Sequence, residues 1–273
     1  MCFFTSLSVN AAAVAKRYGK QLDIIEAARQ ILAEQEQEER AKQERDPKHK
    51  VSFFDIHVAE DLYVIPAYAE PHCVIVSGSD ELQVMQWGLI PRTAKPEDVE
   101  RYNRQNLFKN ARSETLFEKW PWRMLWAHHR CIIPVTGFFE PHRLPSGKTQ
   151  YYFTKLKDTE IFSIAGLWDD WVNPQTGETV LSFVLITTEA NAMMRKIHNG
   201  GNNPFRMPKI LTPAEERRWL DLSITSANAV RDILSVYPET ELRAWPVRPK
   251  FNYGDPSDEG IVEPVPELQP LNL

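Results

Sequence analysis

Four residues carry groups that nucleophilic and acid–base chemistry needs, and each sits in a short, recognisable context. Cys2 follows the first methionine directly in MCFFTSLS; Asn110 lies in KNARSET, two residues before the cation of Arg112; Glu140 ends the apolar run IIPVTGFFE; His198 closes MMRKIH ahead of NGGNNPFRMP. Taken singly, each has a plain structural reading. A histidine at a helix C-terminus caps the dipole, a glutamate at a strand end pairs with an arginine, and a cysteine near a terminus is a small apolar residue. Taken together, they supply a thiol, an amide, a carboxylate and an imidazole, a set that can raise a nucleophile and move protons around it.

A second pattern surrounds the NARSET motif. Residues 101–130 hold seven Arg or Lys against two Glu, interleaved with Tyr102, Phe108, Phe117, Trp120, Trp122 and Trp126. Cations for phosphates and aromatic faces for bases are the composition of a single-stranded nucleic-acid site. The competing reading is that the tryptophans are core. The whole chain carries a net charge of −5, which argues against nonspecific polyanion binding by the molecule at large and makes this local basic excess stand out.

Composition bounds the rest. The 273 residues are 42% hydrophobic and 11% aromatic, ample for a buried core. No apolar run reaches the roughly 18–20 residues of a membrane span, and residues 3–15 lack the basic start of a secretory signal, so a cytoplasmic protein with no membrane partner is expected. The three cysteines, Cys2, Cys73 and Cys131, are widely spaced and form no CxxC pair. Neither a disulfide framework nor a metal site is expected, and Cys73 and Cys131, in strand-like runs, read as buried small hydrophobes.

The elements that must position these groups are short strands. VSFFDI, LYVIPAY, HCVIVSG, LQVMQWG, CIIPVTGFF, QYYFTKL, IFSIAGLW and VLSFVLITT are separated by turn-forming residues such as LPSGK and NPQTGE. They predict a single α+β domain of mostly antiparallel sheets forming an irregular barrel, with few, peripheral helices. TPAEERRWL has a capping box from Thr212 to Glu215 with Pro213 at the first helical position, and EANAMMRKI reads as a helix ending near His198. Residues 21–48 read as a helix that is amphipathic only in its first half and then becomes a solvated arm. From about residue 251 the chain is acidic and proline-rich, with no Lys or Arg after Asn252, and is expected to be a tail beyond a domain of residues 1–250, either solvated or draped on that domain.

The ordered set of MC at the start, QWGLIPRTAK, NARSET, GFFE, and IH followed by RMPKIL resembles the SRAP family, the SOS-response-associated proteins that process abasic sites in single-stranded DNA. The resemblance covers residues 2–249. It implies that Met1 is removed and that the α-amine and thiol of Cys2 together trap the aldehyde of an open abasic sugar as a thiazolidine, with no cofactor and with the chain acting as a monomer. Carried over residue by residue, Cys2 is the nucleophile, Asn110 positions it or the sugar, Glu140 shuttles protons and His198 assists ring opening and reversal. Arg112, Arg92, Trp120 and Trp122 are the implied DNA contacts, and Trp87 either packs against the DNA or shapes the pocket. The chain departs from the family where MCGR becomes MCFF, so that a phosphate contact is lost, and where NGGNNPF lengthens the segment between IH and RMP. Two other readings remain: an N-terminal-nucleophile cysteine peptidase or amidohydrolase using Cys2 and His198, and a non-enzymatic single-stranded DNA-binding module.

Overall fold

The computed structural model describes residues 2–51, 53–55, 57–248, 255–268 and 271. Strand β1 (Phe4–Leu7) is followed by α1 (Ala11–Tyr18), α2 (Asp23–Arg45), β2 (Val58–Ala59), β3 (Leu62–Pro66), β4 (His72–Ile75), β5 (Gln83–Trp87), α3 (Pro96–Arg104) and β6 (Asn110–Arg112). Then come β7 (Arg130–Val135), β8 (Gly137–Arg143), β9 (Thr149–Leu156), β10 (Phe162–Val172), β11 (Thr179–Glu189) and α4 (Ala192–Ile197). The described chain continues through β12 (Arg206–Pro208), β13 (Ile210–Leu211), α5 (Pro213–Leu220), α6 (Ala227–Ile233) and β14 (Leu242–Pro246).

Two sheets hold the strands. One runs in the order β14-β9-β8-β1-β3; the other follows β13-β10-β11-β5-β4-β2, with β7 also on β10 and both β6 and β12 on β11. Among the described residues the pairings are antiparallel except for β5 and β6 on β11 and β2 on β4, as the turn-rich spacing of the strands predicted. One apolar core joins the sheets: Phe138 and Tyr152 from the first pack in the same cluster as Ile132, Leu167 and Phe183 from the second. The helices cover this core from outside, each giving it a few side chains, such as Val14 of α1, Ile197 of α4, Trp219 of α5 and Ile233 of α6. A single α+β domain results.

The helix ends follow from local chemistry. At α5 the Thr212 hydroxyl accepts from the Glu215 amide at 3.2 Å and the Glu215 carboxylate accepts from the Thr212 amide at 2.8 Å, the reciprocal box that its sequence predicts. In α2 only Ile25 is buried, which is why the arm beyond its first turns stays solvated. The tail takes the draped of its two expected forms. Its backbone is docked on the first sheet: Tyr63 donates to the Pro256 carbonyl at 2.9 Å, Val265 donates to Pro246 at 3.1 Å, and Ile261 is fully buried. Apolar residues placed between the acidic ones, Ile261 above all, give that segment a face to bury.

Phe3 and Phe4, the residues that replace Gly-Arg, serve this packing. Phe4 is buried with Phe139, Phe153 and Val64, edge-on to Tyr68 at 5.8 Å and to Tyr151 at 5.9 Å, and Phe3 packs against both apolar clusters. Two aromatic anchors therefore hold β1 between β8 and β3 and fix the position of Cys2, the residue before Phe3.

Candidate active site

Strand β1 lies between β8 and β3, with Phe4 opposite Phe139. The chain leaving β1 toward its amino end therefore passes Glu140, the next residue of β8. Cys2 and Glu140 are both fully buried. The Cys2 thiol contacts the Phe4 carbonyl at 3.5 Å, and the Cys2 carbonyl accepts a hydrogen bond from the Asn110 side-chain amide at 2.9 Å. His198, 3% exposed, turns Nδ1 toward Glu140 at 3.6 Å. The four residues singled out in the sequence thus meet around one point.

The electrostatics of this cluster are those of a dry carboxylate. Burial raises the Glu140 pKa, against the lowering influence of the nearby His198 ring. Burial, and then the charge of Glu140, push the Cys2 thiol well above its ordinary value. Among the described residues neither carboxylate oxygen of Glu140 has a hydrogen-bond partner, and neither does the side-chain oxygen of Asn110. Three buried acceptors without donors form a site that calls for a donor: an ammonium, or the hydroxyls of a sugar.

His198 has a defined tautomer. Its Nδ1 lies 2.9 Å from the Arg206 carbonyl, which can only accept, so Nδ1 carries the proton and a neutral ring holds its lone pair on Nε2. The ring follows the last residue of α4, whose Asn191 cap accepts from Met194 at 2.9 Å. Strand β8 grips this helix end. His142 Nδ1 donates to the Lys196 and Ile197 carbonyls at 2.9 and 3.2 Å, and Asn199 bonds both backbone groups of Arg143, at 2.7 and 3.1 Å. Glu140 and His198 thus face each other because neighbouring residues on the same two elements are clasped.

The supporting residues went unseen in the sequence. Arg206 makes a bidentate pair with Glu114 of NARSET, at 2.5 and 2.9 Å, and also bonds Thr187, so the motif that holds Asn110 is tied to the carbonyl that orients His198. Burial acts against ionisation of Glu114, but Arg206 wins and its pKa is lowered. The sequence signal was there, an acid inside NARSET and an arginine inside RMP, but nothing in it paired them.

The implied DNA contacts divide. Trp120 is 45% exposed and shares a cleft of about 130 Å³ with Arg92, Met124 and Asp169. Trp87 and Trp122 are 1% and 6% exposed, their rings covered by protein; the expectation that Trp122 meets DNA is corrected, and Trp87 takes the other of its two expected roles, shaping the site. Trp87 donates its indole N–H to the Lys109 carbonyl at 2.9 Å while Lys109 Nζ donates back to the Trp87 carbonyl at 3.0 Å, a lock that sets the position of Asn110 next door. Trp122 packs edge-on to Phe108, 5.6 Å between ring centres. Arg92 is bound to Asp169 at 2.7 Å and to Asp170 at 2.8 Å, so much of its charge is met internally. Arg112 is exposed and donates to the Asn203 side chain. The basic stretch is also less basic at its surface than its count suggests. Lys109 is buried with its pKa lowered to about 8 by desolvation, and Arg130 is buried with its guanidinium spent on the carbonyls of Trp126, Ala127, Trp219, Asp221 and Ile224.

A cluster of His129, Asp169 and Asp170 has the ligand atoms for a cation, but the Arg92 guanidinium already occupies it. Cys73 and Cys131 are buried, as expected, with burial pushing both thiols up. No helix among the described residues is long and apolar enough to cross a membrane.

Sheet order, site geometry and the motif set define one class, and the family model described as SOS response associated peptidase (SRAP) matches residues 1–253: the chain belongs to that family. Among its relatives is the abasic site processing protein YoqW of Bacillus subtilis, 34% identical over 191 residues, which cover 70% of this chain and 80% of the relative. The abasic site processing protein HMCES of Xenopus tropicalis is 34% identical over 158 residues, 51% of this chain and 45% of that protein. A crystal structure of a Bacteroides thetaiotaomicron protein, 33% identical, superposes with a TM-score of 0.81 over 97% of this chain and all of that one.

Proposed function

We propose that this chain processes abasic sites in single-stranded DNA by forming a covalent thiazolidine through Cys2, once Met1 has been removed. The observation that carries the reading is the set of three buried acceptors, on Glu140 and Asn110, that have no hydrogen-bond partner among the described residues and are gathered around Cys2. An α-amine on Cys2 is the donor such a site lacks, and an open abasic sugar adds an aldehyde and hydroxyls. The names of YoqW and HMCES support the substrate class. One chain supplies every group of the cluster, in keeping with action as a monomer.

The steps balance with these groups alone. In the closed sugar, His198 Nε2 takes the proton of the C1′ hydroxyl as the bond from C1′ to the ring oxygen breaks, and returns that proton to the freed ring oxygen. The Cys2 amine adds to the freed aldehyde; a proton from Glu140 helps the hydroxyl leave as water, giving a Schiff base. The Cys2 sulfur then adds to the imine carbon, its proton passing by way of Glu140 to the nitrogen, and a five-membered ring closes with the net loss of one water. A raised Glu140 pKa suits a group that must hold and release a proton near neutral pH. It also orders the steps: beside Glu140 the thiol stays protonated, so the amine acts first. A cysteine peptidase would need the opposite shift, toward thiolate.

The test is mass spectrometry of the purified protein before and after mixing with abasic single-stranded DNA. The expected result is a chain lacking Met1 whose mass rises by the DNA less one water. An equal adduct from Cys2→Ala would overturn the reading.

A further inference from the structure

The loop between His198 and β12 holds a side chain that the steps above do not use. Phe205 is 42% exposed and adopts a φ of +59°, a left-handed conformation that a residue with a Cβ seldom takes. Its backbone is pinned from both sides: its N–H donates to the His198 carbonyl at 2.8 Å, and its carbonyl accepts from Ala190 at 2.9 Å. Pro204 precedes it, and Arg206, which follows, orients the His198 ring. The strained ring is therefore presented at a fixed place one residue from the group that sets the histidine tautomer. Strain of this kind persists where the surroundings over-determine it, and it clusters at ligand sites.

Two arginines meet this loop. The Arg195 guanidinium lies 5.8 Å from the centre of the Phe205 ring, is itself half exposed, and pairs with the exposed Glu189 carboxylate at 3.3 Å, a solvent-facing pair that a phosphate can displace. Exposed Arg112 donates to Asn203, two residues before Phe205, leaving most of its donors unspent. Gly200 packs so closely on Arg143 that a Cβ there would lie 2.8 Å from the arginine Cβ, so the loop's other end is seated as well. A rigidly held aromatic face with arginines meeting its loop, beside the site, is the arrangement that receives a nucleobase with its phosphates.

We propose that Phe205 is the stacking platform for the base next to the abasic nucleotide, with Arg195 and Arg112 at the adjoining phosphates. This rests on the DNA reading above and names a specificity contact for it. A base beside an abasic position has lost a stacking neighbour in its own strand, and Phe205 supplies one.

The experiment compares two single-stranded oligonucleotides carrying a tetrahydrofuran abasic analogue, which has no aldehyde and forms no adduct. One has adenines on both sides of the analogue; in the other both neighbours are analogues too. By fluorescence anisotropy the wild type should prefer the first by roughly tenfold, the effect of one stacked base. Phe205→Ala should bring that ratio to about one, and Phe205→Trp should keep it. An unchanged ratio in Phe205→Ala overturns the proposal, as does an equal loss on both oligonucleotides that Phe205→Trp fails to restore. Adduct formation by the wild type on a true abasic strand, measured in parallel, separates the outcomes. An adduct with a ratio indifferent to Phe205 sinks this contact alone; no binding and no adduct sinks the DNA reading with it.

Discussion

Glu140 and His198 face each other at 3.6 Å with almost no exposure to water, and the orienting proton on His198 Nδ1 goes to the Arg206 carbonyl. The histidine is thus held by one strand and aimed at another. That division leaves Glu140 without a hydrogen bond among the described residues, a costly state for a carboxylate and a useful one for a proton carrier.

Glu140→Gln is expected to abolish adduct formation while raising thermal stability at neutral pH. A carboxyl whose pKa is higher in the folded chain than in the unfolded one binds its proton more tightly when folded. Its favourable contribution is complete below the unfolded value of about 4.3 and is lost as pH rises through the folded value. Gln removes that loss, so the variant should melt higher than wild type by roughly 2–4 °C at pH 7.5, the shift that about 1 kcal/mol produces in a domain of this size, and the gap should close toward pH 4. Melting curves across that range test it; a variant less stable at pH 7.5 would contradict the direction.

Asn110→Ala removes the donor to the Cys2 carbonyl and frees the amino-terminal segment. Adduct formation in a single turnover should slow by about tenfold or more, since reacting groups must be held close to their productive geometry. Stability should fall by about 1–2 kcal/mol for the buried carbonyl left unpaired. Denaturing gels and urea titration read the two effects separately.

His142→Leu breaks the grip of β8 on the end of α4. The expected outcome is slower adduct formation with unchanged affinity for an aldehyde-free abasic strand, because His142 sets the position of His198 and touches no DNA in this reading. A fall in affinity equal to the fall in rate would assign the residue to the DNA surface instead.

Salt dependence sorts the cations of residues 101–130. Arg112→Ala should lower the slope of log affinity against log salt by about 0.7, one phosphate contact to a single strand. Arg130→Gln should leave that slope alone and cost about 3 kcal/mol of stability, since its guanidinium satisfies buried carbonyls. Anisotropy titrations at several salt concentrations distinguish them; a change of slope in Arg130→Gln would mean that the buried residue reaches DNA.

Much of the fold was legible because its causes are local. The capping box at Thr212, the half-amphipathic pattern that buries only Ile25 of α2, and the turn-separated β runs each act within a few residues, where spacing along the chain is spacing in space. Whether the tail is solvated or draped stayed open in the sequence for the opposite reason: Ile261 is buried by strands far from it along the chain. Trp122 was read as a DNA contact because an aromatic beside cations has the same composition whether it faces solvent or core.

By itself the sequence determined which chemical groups exist and in what order: a thiol at position 2, an amide at 110, a carboxylate at 140 and an imidazole at 198. The tertiary structure decided which of them touch, which cations stay at the surface and which way each pKa moves. The physical reason is range. Residue type sets what a group does, but whether Cys2 sits beside Asn110, 108 residues away, depends on sheet register and on the dryness of the space enclosed, and neither is written at any single position.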